Sequence, residues 1–393
     1  MLKRDAIIML GGSRLQMPIF ELAKTIGFAV ILIDEFFGCR LKHMSDEFIN
    51  VSCSDTKKIL ELISPLKKNY NIKGAYCGND FGLFTVANIN YELGIAPDIS
   101  KNTLTSLDKI ATKKILNDHC IPTPQHWIDN NAKNIFEKDY PVVVKPVDSS
   151  GSRGVSFVSD NKLLENAIDK ALRFGKNALI EKAIIGRHFD VSGYFADGKF
   201  YPAGQLERFF TAPPDCTPTW GYQPPLIDKD QYEENYILLE SAARALGIEF
   251  GPVKADIISN DIGAYVIEVT PRFHGEISTF YVANKVYDYN VIEAWFQFLK
   301  SGMINDLNNF SDPKRYCGWK SLFADKVGNF SKLDIGQISY DMEIIQTKPI
   351  GSKIIDINSN LGVVGFLVAS GASKAEVQKI LSDSLDEVKM WFE

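Results

Sequence analysis

The chain lacks the marks of metal–thiolate chemistry, membrane insertion and polyanion binding. Its six cysteines (Cys39, Cys53, Cys77, Cys120, Cys216, Cys317) form no Cys-x-x-Cys pair and no Cys/His cluster at zinc spacing. They read as reduced thiols of a cytoplasmic protein. No apolar run approaches the roughly 20 residues that cross a bilayer. The opening Lys3-Arg4 and Ala6-Ile7-Ile8-Met9-Leu10 stop after five apolar residues, too few for a signal peptide, and read as a first buried strand. The formal net charge of −6 carries no basic excess of the kind that nucleic acid or an anionic membrane favours, so neither is expected as a partner. A homodimer is left open. There is no internal repeat and no low-complexity tract.

What is present is the balance of an ordinary globular protein, 45% hydrophobic and 23% charged over 393 residues, enough for two or three compact units. The first hundred residues alternate short apolar runs with amphipathic stretches, as βαβ units around a parallel sheet do. Strands are expected at 6–10 and 29–33, with a helix over 18–26 between them. Gly11-Gly12 and Asp34 sit where a dinucleotide site would have them, but Arg14-Leu15-Gln16 replace the rest of the G-x-G-x-x-G pattern. Asn79 and Asp80 follow a second strand end and are candidates to touch a small substrate. A helix over 106–118 carries Lys109, Lys113 and Lys114, and Pro122 and Pro124 then mark a hinge into a new unit. The breakers from 213 to 225 suggest a flap. The last ninety residues read as a smaller α/β unit, with a strand over 361–369 and a capping box, Ser373 to Glu376, opening a helix.

Three segments carry the chemistry. In the first, Val142-Val143-Val144 delivers Lys145 at a strand end, and Ser149-Ser150-Gly151-Ser152-Arg153-Gly154 follows, small residues whose N–H groups can surround phosphate oxygens. It is not a Walker A loop, because the lysine precedes the glycines. The second is Ala178-Leu179-Ile180-Glu181-Lys182-Ala183-Ile184, an apolar strand whose edge could meet a purine, with His188 and Asp190 beyond it. In the third, strands around Asp256 and Glu268 are joined by Ser259-Asn260-Asp261-Ile262-Gly263 as a hairpin. Two hard carboxylates on adjacent strands suit Mg²⁺ bridging nucleotide phosphates.

In this order and spacing the segments resemble the ATP-grasp superfamily, particularly the branch of carbamoyl phosphate synthetase, biotin carboxylase and L-amino acid ligases. The resemblance implies an α/β chain: a Rossmann-like parallel-sheet domain at 1–105, a two-lobed core at 106–300 with its small lobe at about 120–185, and a closing α/β domain at 301–393. It implies ATP with Mg²⁺ or Mn²⁺. Lys109 and Lys145 would reach the phosphates and Ser149 to Gly154 would cover them. Glu181, Lys182, Ala183 and Ile184 would hold adenine, and His188 the ribose. Asp256 and Glu268 would hold metal, and Arg272 would steady the transferred phosphoryl group. The family's E-x-N-P-R is Glu268-Val269-Thr270-Pro271-Arg272 here, so Thr270 stands where an amide ligand is usual and puts a second metal in question.

The implied reaction is ATP-dependent ligation of a small carboxylate to an amine through an acyl phosphate, releasing ADP and phosphate. Residues 362–371 resemble the amino acid ligases. The competing readings are a bicarbonate-activating, carbamoyl phosphate synthetase-like enzyme and a nucleotide-binding protein without catalysis. The joint presence of Lys145, Asp256, Glu268 and Arg272 disfavours the latter. Arg208 and His274-Gly275-Glu276 are candidates for substrate recognition.

Overall fold

The computed structural model describes residues 3–129, 135–149, 151–275, 277–304, 313–336, 342–357 and 359–393. Ser150 and Glu276 therefore lie outside the described residues. The chain opens with a parallel sheet of β1 (Arg4–Leu10), β2 (Ala29–Ile33), β3 (Glu47–Ile49) and β4 (Tyr70–Cys77) in the order β3-β2-β1-β4. All five residues of β2 are buried, which is why it reads as an unbroken apolar run: central parallel strands are covered on both faces. The covers are α1 (Met17–Thr25), α2 (Thr56–Ile63) and α3 (Leu83–Glu92). The order reverses between β1 and β4, so the loops after Leu10 and Cys77 open side by side. At the end of β2, Gly12 and Phe36 donate their N–H groups to Asp34 at 2.8 and 2.7 Å. That carboxylate braces its own loops, and the acid a dinucleotide reading needs is already engaged.

The helix expected over 106–118 is two, α4 (Ser100–Leu107) and α5 (Lys109–Asp118). Asp108 breaks them: its backbone is extended and its carboxylate accepts from the N–H groups of Ile110 and Ala111, capping α5. Lys109 is thereby the first residue of a helix rather than a mid-helix lysine.

A small antiparallel sheet follows: β5 (His126–Ile128), β6 (Val142–Pro146), β7 (Ser156–Val158) and, after α6 (Leu164–Leu172), β8 (Ala178–Lys182), in the order β5-β8-β6-β7. Val142, Val144, Val158 and Ile180 pack on Ala167 and Ala171 of α6, which gives this layer its own core.

The remaining strands build a large antiparallel sheet. β9 (Arg187–Ala196), β10 (Lys199–Phe210) and β11 (Pro218–Gln223) lead through α7 (Lys229–Ala245) to the hairpin β12 (Gly251–Asn260) and β13 (Gly263–Thr270). After α8 (Ala283–Tyr287) and α9 (Val291–Ser301) come β14 (Tyr316–Phe323), β15 (Gly328–Ile335), β16 (Met342–Gln346), β17 (Lys353–Ile354), β18 (Val363–Gly371), α10 (Lys374–Asp386) and β19 (Val388–Phe392). The sheet order is β13-β12-β9-β10-β11-β14-β18-β16. Two expectations change. The stretch 213–225 is not a free flap, because β11 within it pairs with both β10 and β14. The C-terminal residues do not stand apart either: β14, β18 and β16 continue the core sheet, and only β17-β15-β19 form a separate one. At the other end, α9 presses Phe296 edge-on against Phe28 and Tyr76 of the first unit, while Trp295 meets Tyr194 of β9. Such fully buried aromatics are each worth about 2–3 kcal/mol of removal from water, and they join the parallel sheet to the core.

Candidate active site

The small sheet and the large sheet face one another across a cavity of about 330 Å³. Lys145 and Glu181 come from the small sheet, Lys109 from the start of α5, and Asp256 and Glu268 from the large sheet; all line this space, with Ser149, Gly151, Ser152, Lys182, Ala183, Ile184 and His188. Gly154 does not: it lines a neighbouring cleft, where its φ of +75° and Phe174, 2.9 Å from where a Cβ would stand, exclude any side chain. Arg272 and Thr270 also lie outside the cavity lining.

Two lysines are fixed before any ligand arrives. The Lys145 ammonium lies 2.6 Å from Glu181 Oε2, and Lys113, one turn along α5 from Lys109, lies 2.8 Å from Glu181 Oε1. Burial alone would push the Glu181 carboxyl up, but these two ammonium groups hold it down at about 2. Lys113 moves the opposite way from an ordinary ion-paired lysine, down to about 8, because it is fully buried and shares its one carboxylate with Lys145. The Lys109 ammonium donates to the carbonyls of Val147 at 3.3 Å and Ser149 at 2.7 Å, tying the glycine loop to α5. Burial lowers the pKa of Lys109 against the pull of Glu268.

The adenine segment behaves differently from expectation in one respect. Lys182 turns its side chain away to the carbonyls of Asp139 and Tyr140, and its N–H goes to Gln125 O at 2.8 Å. The Ala183 N–H is engaged by Pro141 O at 3.0 Å. What this strand end offers the cavity is apolar surface, with Ile184, Phe210 and Ile258 around it. His188 leans on Phe210 with ring centroids 4.7 Å apart, and burial with the Arg208 charge pushes its pKa down to about 4, leaving a neutral imidazole.

The floor is a row of acids. Asp190 on β9 is the register partner of Asp256 on β12, which is the partner of Glu268 on β13, so the three share one face. Like charges placed directly opposite destabilise a sheet, and two cations offset them. Lys254, two residues before Asp256 and so on the same face of β12, lies 3.1 Å from Asp256 Oδ1 and 3.2 Å from Glu268 Oε1. Arg208 lies 3.0 Å from Asp190 Oδ1 and 3.2 Å from Asp256 Oδ2. Burial would raise Asp256, yet Lys254 and Arg208 hold it well below the usual carboxylate range. Burial would also raise Glu268, which Lys254 and Lys109 hold at about 2. Asp190 goes up instead: burial outweighs Arg208, and the Asp256 charge adds to it. His274 bridges the same acids, with Nδ1 3.4 Å from Asp190 and Nε2 3.5 Å from Asp256. Thr270 donates its hydroxyl to Glu268 Oε1 at 3.2 Å. Arg272 reaches out of the core, its Nε 2.6 Å from Asp80 Oδ1 at the end of β4.

Sequence reasoning gave no role in the site to Lys113, Lys254 or Asp190. Helical spacing from Lys109 and strand alternation from Asp256 would have found the two lysines. Asp190 needed the pairing of β9 with β12, which no local pattern records.

Residues 106–276 match the family model described as ATP-grasp domain. The chain is similar to "Uncharacterized protein y4rH" of Sinorhizobium fredii, 24% identical over 370 residues, 88% of this chain and 74% of that one. It is 30% identical over 190 residues to a D-alanine--D-alanine ligase of Syntrophotalea carbinolica, 45% of this chain. It spans 61% of that ligase's length. The structure superposes on that of an L-amino acid ligase from Bacillus licheniformis over 100% of both chains, with a TM-score of 0.85 and 19% identity. Residues 106–276 are thus an ATP-grasp domain, and the chain as a whole has the fold of the ATP-grasp superfamily.

Proposed function

We propose that the chain is an ATP-dependent carboxylate–amine ligase of the cytoplasm that works through an acyl phosphate. It would release ADP and phosphate and act on small metabolites. The observation that carries this reading is the convergence of Lys109, Lys145, Asp256 and Glu268, from four different elements, on one cavity that also has an apolar end. The relatives named as D-alanine--D-alanine ligases support the same class of bond. The domain division at about 105 and 300, with the small lobe at about 120–185, is part of the same proposal, the last unit sharing the core sheet through β14, β18 and β16.

In this reading Ile184 and Phe210 sandwich the base and His188 meets the ribose. Lys109 and Lys145 neutralise the phosphates under the loop from Ser149 to Gly154. The metal set fits a hard cation. Glu268 lines the cavity with Asp256, and its Oε2 has no hydrogen bond to another described residue; a carboxylate oxygen is a donor type that Mg²⁺ takes along with phosphate oxygens and water. Bound there, Mg²⁺ or Mn²⁺ would supply charge neutralisation between the phosphates. A substrate carboxylate oxygen forms a bond to the γ-phosphorus as the bond to ADP breaks, and Arg272 steadies the transferred group. The amine nitrogen then forms the C–N bond, phosphate departs, and the amine proton passes to solvent. Closure of the glycine loop keeps water from the acyl phosphate.

The test is ADP release across a panel of amino acids and small acids, paired with mass analysis of products. Release that depends on a carboxylate and an amine together, with a product lighter than their sum by one water, is expected. Tight ATP binding with no turnover on any pair would overturn the reading.

A further inference from the structure

Lys254 is a buried cation placed between the two acids assigned to metal, and the ligase reading above gives it no task. Its ammonium takes Asp256 Oδ1 and Glu268 Oε1, one oxygen from each of the two acids. The other oxygen of Asp256 accepts from Arg208. Thr270, at the position where the family offers an amide ligand, turns its hydroxyl onto Glu268 Oε1 rather than towards the cavity. Of the four carboxylate oxygens of these two acids, Glu268 Oε2 alone has no hydrogen bond to another described residue.

We propose that this protein binds its nucleotide with a single divalent ion, and that the Lys254 ammonium stands in for a second one between Asp256 and Glu268. The inference rests on the ligase reading but makes a separate claim. Several acids of the site already have their own cations: Glu181 has Lys145 and Lys113, Asp190 has Arg208, and Asp80 has Arg272. A second ion would have to displace Lys254 and leave its charge buried at 5% exposure with no carboxylate to meet it. The polypeptide thus supplies, as a fixed charge, what a second ion would otherwise bring. Lys254 is a positioning residue in this account, since it acts through the two acids and is not part of the cavity wall.

The experiment counts ions rather than turnover. The full chain is titrated with Mn²⁺ in the presence of a saturating non-hydrolysable ATP analogue, and free Mn²⁺ is read by electron paramagnetic resonance. One tightly bound ion per chain is expected, and two would overturn the proposal. In Lys254→Met, which keeps the length and removes the charge, the count should rise to two; Lys254→Arg should keep it at one. Lys254→Gln, which retains a hydrogen-bond donor for the buried position, replaces the methionine variant if circular dichroism shows that variant unfolded. A neutral variant that folds and still binds one ion would remove Lys254 from the explanation. If the wild-type chain binds no analogue at any metal concentration, it is the ligase reading that fails.

Discussion

Glu181 shows how a residue can serve a site by fixing its neighbours. Its carboxylate holds two lysines from different elements, and its pKa of about 2 compares with 4.5 for the free side chain. The folded value is the lower one, so this stabilisation is complete above about pH 4.5 and is lost as pH falls towards 2, amounting to about 3 kcal/mol. Glu181→Gln should therefore be less stable than the wild type by roughly 3–5 kcal/mol at pH 7, since it strands two buried ammonium groups. Urea unfolding at pH 7, 5 and 3 should show that gap narrowing with acid, and a gap independent of pH would contradict the assignment. Arg272 belongs to the same scale. A group that stabilises developing charge is typically worth about 3–4 kcal/mol, so Arg272→Ala should cut turnover by about a hundredfold or more. Binding of a non-hydrolysable ATP analogue should be nearly unchanged, because Arg272 lies outside the cavity lining.

At the scale of elements, the connection from β8 to β9 is where the small sheet meets the large one. Gly186 sits in it with Ser259 O only 2.3 Å from where a Cβ would be, and Asn260 donates to Ile185 O at 3.0 Å. The β12–β13 turn therefore clamps the joint between the sheets. Gly186→Ala forces backbone against backbone and should cost about 1–3 kcal/mol of stability, read by thermal melting. It should also weaken nucleotide binding by tilting the small sheet; an unchanged affinity would show that the joint does not set the cavity. Strands such as β1 and β2 were legible from their apolar runs, as was the hairpin that carries Asp256 and Glu268, because period and turn residues are local. The break at Asp108 was hidden inside a continuous helical pattern, since an aspartate serves as readily on a helix surface as at its cap. The membership of β14, β18 and β16 in the core sheet was hidden for another reason: pairing partners lie far apart in sequence, and a strand's own residues do not name its neighbour.

The molecule as a whole brings its first and last parts to the same site from opposite sides. Asp80, from the parallel sheet, reaches Arg272. Asn360, just before β18, donates to Gly151 O at 2.8 Å, at the crest of the glycine loop, where φ is +70° and a side chain would be strained. In the proposed reading the C-terminal strands would steady the nucleotide end of the site through Gly151, and the N-terminal sheet the reacting end through Arg272. These two contacts should separate in kinetics. Losing one neutral hydrogen bond costs about 0.5–1.5 kcal/mol, so Asn360→Ala should raise KM for ATP about 2- to 10-fold while kcat stays within about twofold. Asp80→Asn removes the charge that orients Arg272 in a largely buried place, and should lower kcat about tenfold or more with analogue affinity preserved. Steady-state kinetics on both variants, with analogue binding measured alongside, would reveal the crossing. If both changed the same parameter in the same proportion, the two ends of the chain would be acting as general scaffolding rather than on separate halves of one reaction.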